Sequence, residues 1–190
     1  MCIRDSARSA GSEVLVGVHA DRLVVVLGGL PDLGPVAARV SREFAPGPVV
    51  HGPQVGSLAQ AGESATAALA GLRAAAAWPD APRPVDAEDL LPERALDGDP
   101  LARTALSERI ALPLQAAGGE VLETVRTGLG TGGNLEASAR ALFVHTNTVR
   151  YRLKRATELT GYSATDPRGA WTLQLALALA HLDGDRSLWH

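Results

Sequence analysis

The 190-residue sequence predicts an α+β region followed by an all-α domain built around a helix-turn-helix. Three observations predict it. Short β-branched apolar runs are confined to the first ninety or so positions. Five prolines (79, 82, 84, 92, 100) and a cluster of acids break the chain before position 101. Beyond that break strand signals vanish and apolar residues recur at helical spacing.

The elements follow in order. Val14 to Val18 and Leu23 to Leu27 flank the polar break His19-Ala20-Asp21-Arg22, the pattern of a β-hairpin. Gly28-Gly29-Leu30-Pro31 ends it. Asp32 is placed to cap a helix whose stripe is Leu33, Val36, Ala37, Val40 and Phe44. Pro46-Gly47-Pro48 stops that helix, and Val49-Val50-His51 is a short strand candidate. Leu58 to Trp78 is Ala-rich and helical, so the first 80 residues read β-β-α-β-α. Residues 79 to 100 read as a connector with a short strand near Val85 and a helical turn at Ala87 to Leu91.

Leu101 to Ala117 is helical and ends at Gly118-Gly119. Val121, Leu122, Val125 and Leu129 form the next stripe. Asn134 to Leu142 and Thr146 to Thr160 are two further helices around a Phe143-Val144-His145 turn. Asp166-Pro167 opens a last helix, Arg168 to Leu182, apolar nearly all round and therefore expected to be buried. Residues 1 to 12 read as a leader foreign to the fold, 13 to 99 as an α+β regulatory region and 100 to 185 as a helical domain.

Composition excludes several classes. No apolar run reaches the 18 to 20 residues of a membrane span. One cysteine, Cys2, supports neither a disulfide framework nor a cysteine zinc site, and cysteine scarcity fits a reducing cytoplasm. The net charge of −3 argues, as an average, against a polyanionic partner. Along the chain it separates. Residues 1 to 119 hold 10 bases and 14 acids, giving −4, whereas 137 to 157 hold five bases and no acid, giving +5. Screening over about 8 Å makes the local value the relevant one.

At 100° per residue, Val149, Leu153 and Ala156 fall within roughly 40° of one another and form a buried stripe. The opposite face carries Asn147, Tyr151, Lys154 and Arg155, with Thr148 beside them and Arg150 and Arg152 flanking. The preceding helix has Asn134 as its cap and Leu135, Ala139 and Leu142 inward. Phe143 and Val144 are placed to plug the angle between the helices, and His145 or Thr146 to cap the second. Two short helices, a tight turn and a polar basic second helix are the parts of a helix-turn-helix, whose second helix enters the major groove.

The run Gly132-Gly133-Asn134, Ala139 to Leu153, then Glu158-Leu159-Thr160-Gly161 and Asp166-Pro167-Arg168, resembles the C-terminal helix-turn-helix of the PucR/CdaR family of bacterial transcription regulators over about residues 120 to 183. One departure is Thr146, where the family often has Pro or Arg. The resemblance implies a recognition helix at about 146 to 157. In this family a degenerate GGDEF-like domain often precedes the helix-turn-helix. Residues 14 to 91 resemble the later part of such a domain, truncated, with His19-Ala20-Asp21-Arg22-Leu23 at the signature hairpin. Both glycines and the fourth acid are missing there, and Arg22 would repel Mg²⁺, so a non-catalytic domain is expected.

Other patterns carry less. Gly128-Leu129-Gly130-Thr131-Gly132-Gly133 satisfies G-x-G-x-x-G, but a helix precedes it and no acid follows at the required distance. It reads as a flexible break. His19, His51, His145, His181 and His190 lack metal-ligand spacing. Ser57, Ser64 and Ser138 lack a nucleophile elbow. Asp86, Glu88 and Asp89 read as a solvated run, and Trp171 as core.

The expectation is a cytoplasmic, sequence-specific DNA-binding regulator without enzymatic activity, cofactor or metal. Arg140, His145, Arg152 and Arg155 are candidate phosphate contacts, and Asn147, Thr148, Arg150, Tyr151 and Lys154 candidate base readers, with Thr146 at the helix start. The expected partners are double-stranded DNA and a second copy, or a higher homo-oligomer, with no membrane. A small-molecule effector would act through an upstream domain. Two alternatives are a protein-interaction module holding an acidic partner on the basic face and a residual nucleotide cyclase.

Overall fold

The computed structural model describes Asp5 and residues 13–184. The reading of residues 1 to 12 as a leader, Cys2 and His190 thus lie outside the described residues, Asp5 apart. The chain forms two compact units that meet in sequence between Asp97 and Gly98. Among the described residues, no helix is long and apolar enough to cross a membrane.

In the first unit, β1 (Glu13–His19) and β2 (Arg22–Gly28) pair antiparallel, with Val14 opposite Leu27 and His19 opposite Arg22. Ala20 turns the hairpin at a positive φ of 53°. Helix α1 (Leu33–Ser41) starts where the Asp32 carboxylate accepts the Gly34 N–H. It buries Val36 and Val40 against Val14, Leu27, Leu30 and Phe44. Phe44 therefore joins the stripe's core from beyond the helix, which ends three residues earlier than its spacing suggests.

Strand β3 (Val50–His51) pairs parallel with β4 (Val85–Asp86), and α2 (Ala61–Ala74) lies between them in sequence, extended by a 3₁₀ turn at each end. Small residues bring α2 against β3. A Cβ on Gly52 would come within 2.0 Å of the Ser64 carbonyl oxygen, and one on Gly71 within 2.9 Å of Val50.

The proline-rich stretch is core, not connector. Val85, Ala87, Leu90 and Leu91 are buried, and the helix, α3 (Leu91–Leu96), begins where the turn was expected to end. Asp86, Glu88 and Asp89 are not a free solvated run. Asp86 accepts the Glu88 N–H, and Glu88 pairs with the buried Arg94, which also donates to the Ala87 carbonyl. Prolines dense enough to suggest a linker here fix turns around buried aliphatic residues.

The second unit is helical throughout its described residues: α4 (Pro100–Leu106), α5 (Leu112–Ala116), α6 (Gly119–Gly130), α7 (Leu135–Ala141), α8 (Thr146–Thr160) and α9 (Pro167–Leu182). A π-helical turn, Ser107–Ala111, joins α4 to α5. Pro113 lacks an N–H and crowds the carbonyl four residues back, so a widened turn ahead of it keeps the run continuous. Leu106, Ile110, Leu114, Val125, Val149 and Leu173 are all but fully buried and form the centre of this unit.

The glycine-rich stretch at 128 to 133 is an ordered helix end. Gly133 N–H donates to the Gly128 carbonyl and Gly132 N–H to the Leu129 carbonyl, a Schellman closure with Gly132 left-handed. Thr131 and Ser138 hydroxyls share a hydrogen bond of 2.7 Å across it.

Helix α9 departs from expectation. Its N-terminus is capped by Asp166, which accepts the Gly169 N–H at 2.7 Å. Only one side is buried. Trp171 is 40% exposed and Leu182 is 75% exposed, so Trp171 is not core.

Two glycines of this unit respond oppositely to substitution. A Cβ at Gly169 would sit 2.4 Å from the Ser163 carbonyl oxygen, so Gly169→Ala is expected to lose about 1–3 kcal/mol. At Gly128 the Cβ meets Leu153 at 3.5 Å, ordinary contact inside a helix, so Gly128→Ala gains up to about 1 kcal/mol. Urea melts of the two variants check both signs.

Candidate nucleic-acid interface

Helix α8 is held by its apolar stripe. Val149, Leu153 and Ala156 are buried, as their spacing suggests, and Leu153 packs over the glycine surface of Gly128 on α6. Helix α7 enters the motif with Asn134 accepting the Ala137 N–H at 2.9 Å. Ala139 is buried, small enough for α7 and α8 to approach closely. Ser138 Oγ donates to the Asn134 carbonyl, so this serine is structural.

His145 begins α8. Its Nδ1 accepts the Asn147 N–H at 3.1 Å, which requires a neutral ring carrying its proton on Nε2. At the other end Gly161, left-handed at φ 80°, closes the helix. The motif is thus capped at both ends by residues of the expected types.

The outward face carries Asn147, Arg150, Tyr151, Lys154 and Arg155, all exposed, with Thr146 and Thr148 half-buried beside them. Tyr151 is 70% exposed, unusual for an aromatic residue within a folded helix. Arg150 donates to the Asn147 side-chain oxygen, so the two side chains best suited to base edges are aligned along one ridge. Arg140 is exposed on α7 and its side chain has no hydrogen bond or ion pair among the described residues.

Acids outside the basic stretch reach into it. Arg152 is largely covered and pairs with Glu120 of α6. Lys154 and Arg155 lie 3.9 and 3.7 Å from Glu158. Glu120 and Glu158 fall outside residues 137 to 157, so the count along the chain missed them; Glu158, three and four residues after Arg155 and Lys154, was readable from helical spacing.

Phe143 is the clearest miss. It does not plug the angle between the helices. It is 96% exposed, because a φ of 55° turns its side chain outward from the helix end. Val144, half-buried, lies on the inner side instead.

A capped helix-turn-helix whose second helix presents amide, phenol and guanidinium groups defines a regulator-type DNA-recognition domain. Comparison with known proteins agrees with that class. Residues 121–179 match the PucR C-terminal helix-turn-helix domain family. The crystal structure of a regulator of polyketide synthase expression from Bifidobacterium adolescentis superposes with a TM-score of 0.80 at 36% identity, over 96% of this chain and 74% of that one. An uncharacterised protein of Mycobacterium tuberculosis H37Rv is 45% identical over 184 residues, 95% of this chain and 44% of the relative. The purine catabolism regulatory protein of Bacillus subtilis is 40% identical over 62 residues, 33% of this chain and 12% of that protein. The chain belongs to the PucR family of transcription regulators, and it spans under half the length of its mycobacterial relative.

Proposed function

We propose that this chain binds double-stranded DNA sequence-specifically, with α8 (about residues 146 to 157) in the major groove. The observation that carries the reading is the outward face of α8, where Asn147, Arg150, Tyr151 and Lys154 stand opposite a fully buried stripe. Asn147, Thr148, Arg150, Tyr151 and Lys154 read base edges in this proposal. Arg140, Arg155 and the His145-Thr146 helix start contact phosphate. Arg152, engaged by Glu120, holds α8 to α6 more than it meets DNA. A gel shift with competitor DNA tests it: a specific band that survives nonspecific competitor supports it, and retention of only an acidic protein favours the interaction-module alternative.

One helix-turn-helix reads few base pairs, so two copies on two half-sites follow. The outer face of α9 supports a self-contact. Trp171, Leu175, Ala178 and Leu182 follow one another at spacings of four, three and four, and packed antiparallel on a second copy they set Trp171 against Leu182 and Leu175 against Ala178. Arg168 at one end of the stripe then approaches Asp183 at the other, a favourable charge match. A single helix pair buries less than the roughly 800 Å² per partner of a standard interface, so this dimer is weak alone and forms on DNA. Sedimentation of the DNA complex should give two chains per duplex, and Leu182→Glu should reduce it to one; two chains with the variant would refute the α9 contact.

We further infer that residues 13 to 99 form a regulatory, GGDEF-like, non-catalytic region and residues 100 to 185 the DNA-binding domain. The division between Asp97 and Gly98 supports the boundary. At the hairpin tip Arg22 lies 3.6 Å from Asp21 and occupies its carboxylate, which supports the absence of metal chemistry there. Incubation with GTP and Mg²⁺ should yield no cyclic dinucleotide.

A further inference from the structure

The turn of the helix-turn-helix carries an arrangement that the fold alone does not require. Helix α7 ends in a Schellman closure: Phe143 N–H donates to the Arg140 carbonyl at 3.3 Å and Val144 N–H to the Ala139 carbonyl at 3.1 Å. This closure needs a left-handed residue after the cap, a position that favours glycine. The chain places glycine at the matching point after α6 and after α8, Gly132 at φ 63° and Gly161 at φ 80°. After α7 it places Phe143, at φ 55°.

The ring does not offset that strain by packing, since Phe143 is 96% exposed. It stands instead on the rim of an open depression of about 530 Å³ that Arg140, His145 and Thr146 also line. These three are among the residues assigned above to DNA. Glu136 lines the same depression, setting one carboxylate against the Arg140 cation. Near-neutral charge there leaves the ring, more than the charge, as its distinguishing feature. That favours an apolar part of a nucleotide over a phosphate.

We propose that Phe143 is a DNA contact: its strained backbone holds the ring out to pack on an apolar nucleotide surface, a deoxyribose face or a thymine methyl, beside the start of the recognition helix. The proposal rests on the DNA-binding reading and adds a residue to it. Backbone strain kept at a site with no packing return is the pattern expected where a side chain serves a ligand.

The test separates stability from binding. The probe is a duplex that the 190-residue chain itself selects from a random-sequence pool. Phe143→Gly should raise the thermal midpoint by a few degrees, because the left-handed position is relieved. It should also weaken binding to the selected duplex about tenfold while leaving the salt slope unchanged, because no cation is removed. Phe143→Leu, which keeps an apolar side chain, should retain part of the affinity. Replacing thymine by uracil in the duplex distinguishes the two surfaces. A loss for the native chain and none for Phe143→Gly marks the methyl, and equal binding by the native chain marks the sugar.

A Phe143→Gly variant that binds within twofold of the native chain overturns the proposal, and so does one that melts lower. A native chain that selects no duplex overturns the DNA-binding reading and this contact together.

Discussion

Replacing Lys154 and Arg155 together by alanine is expected to weaken DNA binding about tenfold to a hundredfold at moderate salt. It should also reduce the slope of log affinity against log salt by one to nearly two. Both side chains are more than half exposed on the outward face of α8. Neither contributes to the buried stripe, so the fold should change by no more than about 0.5 kcal/mol. The loss therefore reads as lost phosphate neutralisation, and titrations at three or four salt concentrations measure it. Glu158 supplies the reciprocal. It lies within 4 Å of both cations, so Glu158→Gln removes an internal competitor for them. That variant should bind a few-fold more tightly. A double alanine variant with an unchanged salt slope would remove the basic face from the interface.

Leu153→Ala is expected to cost the helical unit about 2–5 kcal/mol, a large share of the roughly 5–15 kcal/mol that stabilises a domain. Leu153 is 6% exposed, and its methyl groups face Gly128 at the point where α6 and α8 touch. Truncation leaves a cavity there, because the glycine has no side chain with which to fill it. The recognition helix then loses the contact that fixes its orientation. DNA affinity should fall with the folded fraction and return on cooling or at low denaturant. That distinguishes this variant from the surface variants, whose defect persists in fully folded protein. Urea midpoints and binding measured on the same samples separate the two causes.

The recognition helix was legible in the sequence for a physical reason. Val149, Leu153 and Ala156 repeat at helical period, and the polar residues between them leave only one way to bury the stripe. The caps were legible too, since Asn134, Asp166 and Gly161 are residue types with local reasons to sit at helix ends. What sequence reasoning missed depends on three-dimensional context. Phe143 read as a plug because it is apolar, yet the helix ends in a left-handed residue that points it outward. Prolines near 84 and 92 read as a linker, although Leu90 and Leu91 between them are buried core. The glycines at 128 to 133 read as a flexible break, whereas their carbonyls and N–H groups close a helix end. Helix α9 read as wholly buried because its composition is apolar on every side, and composition alone does not reveal which side is left uncovered. Arg152 read as a free cation because Glu120 is 32 residues away in sequence.

The most direct test of the account is selection from a random-sequence duplex pool by the native chain and by an Asn147→Ala, Arg150→Ala double variant. The account predicts that the native chain enriches a defined sequence that resists nonspecific competitor. It predicts that the double variant still binds DNA but loses preference at one or two base positions. Enrichment of the same sequence by both proteins, or of no sequence by either, would contradict the claim that the outward face of α8 reads DNA.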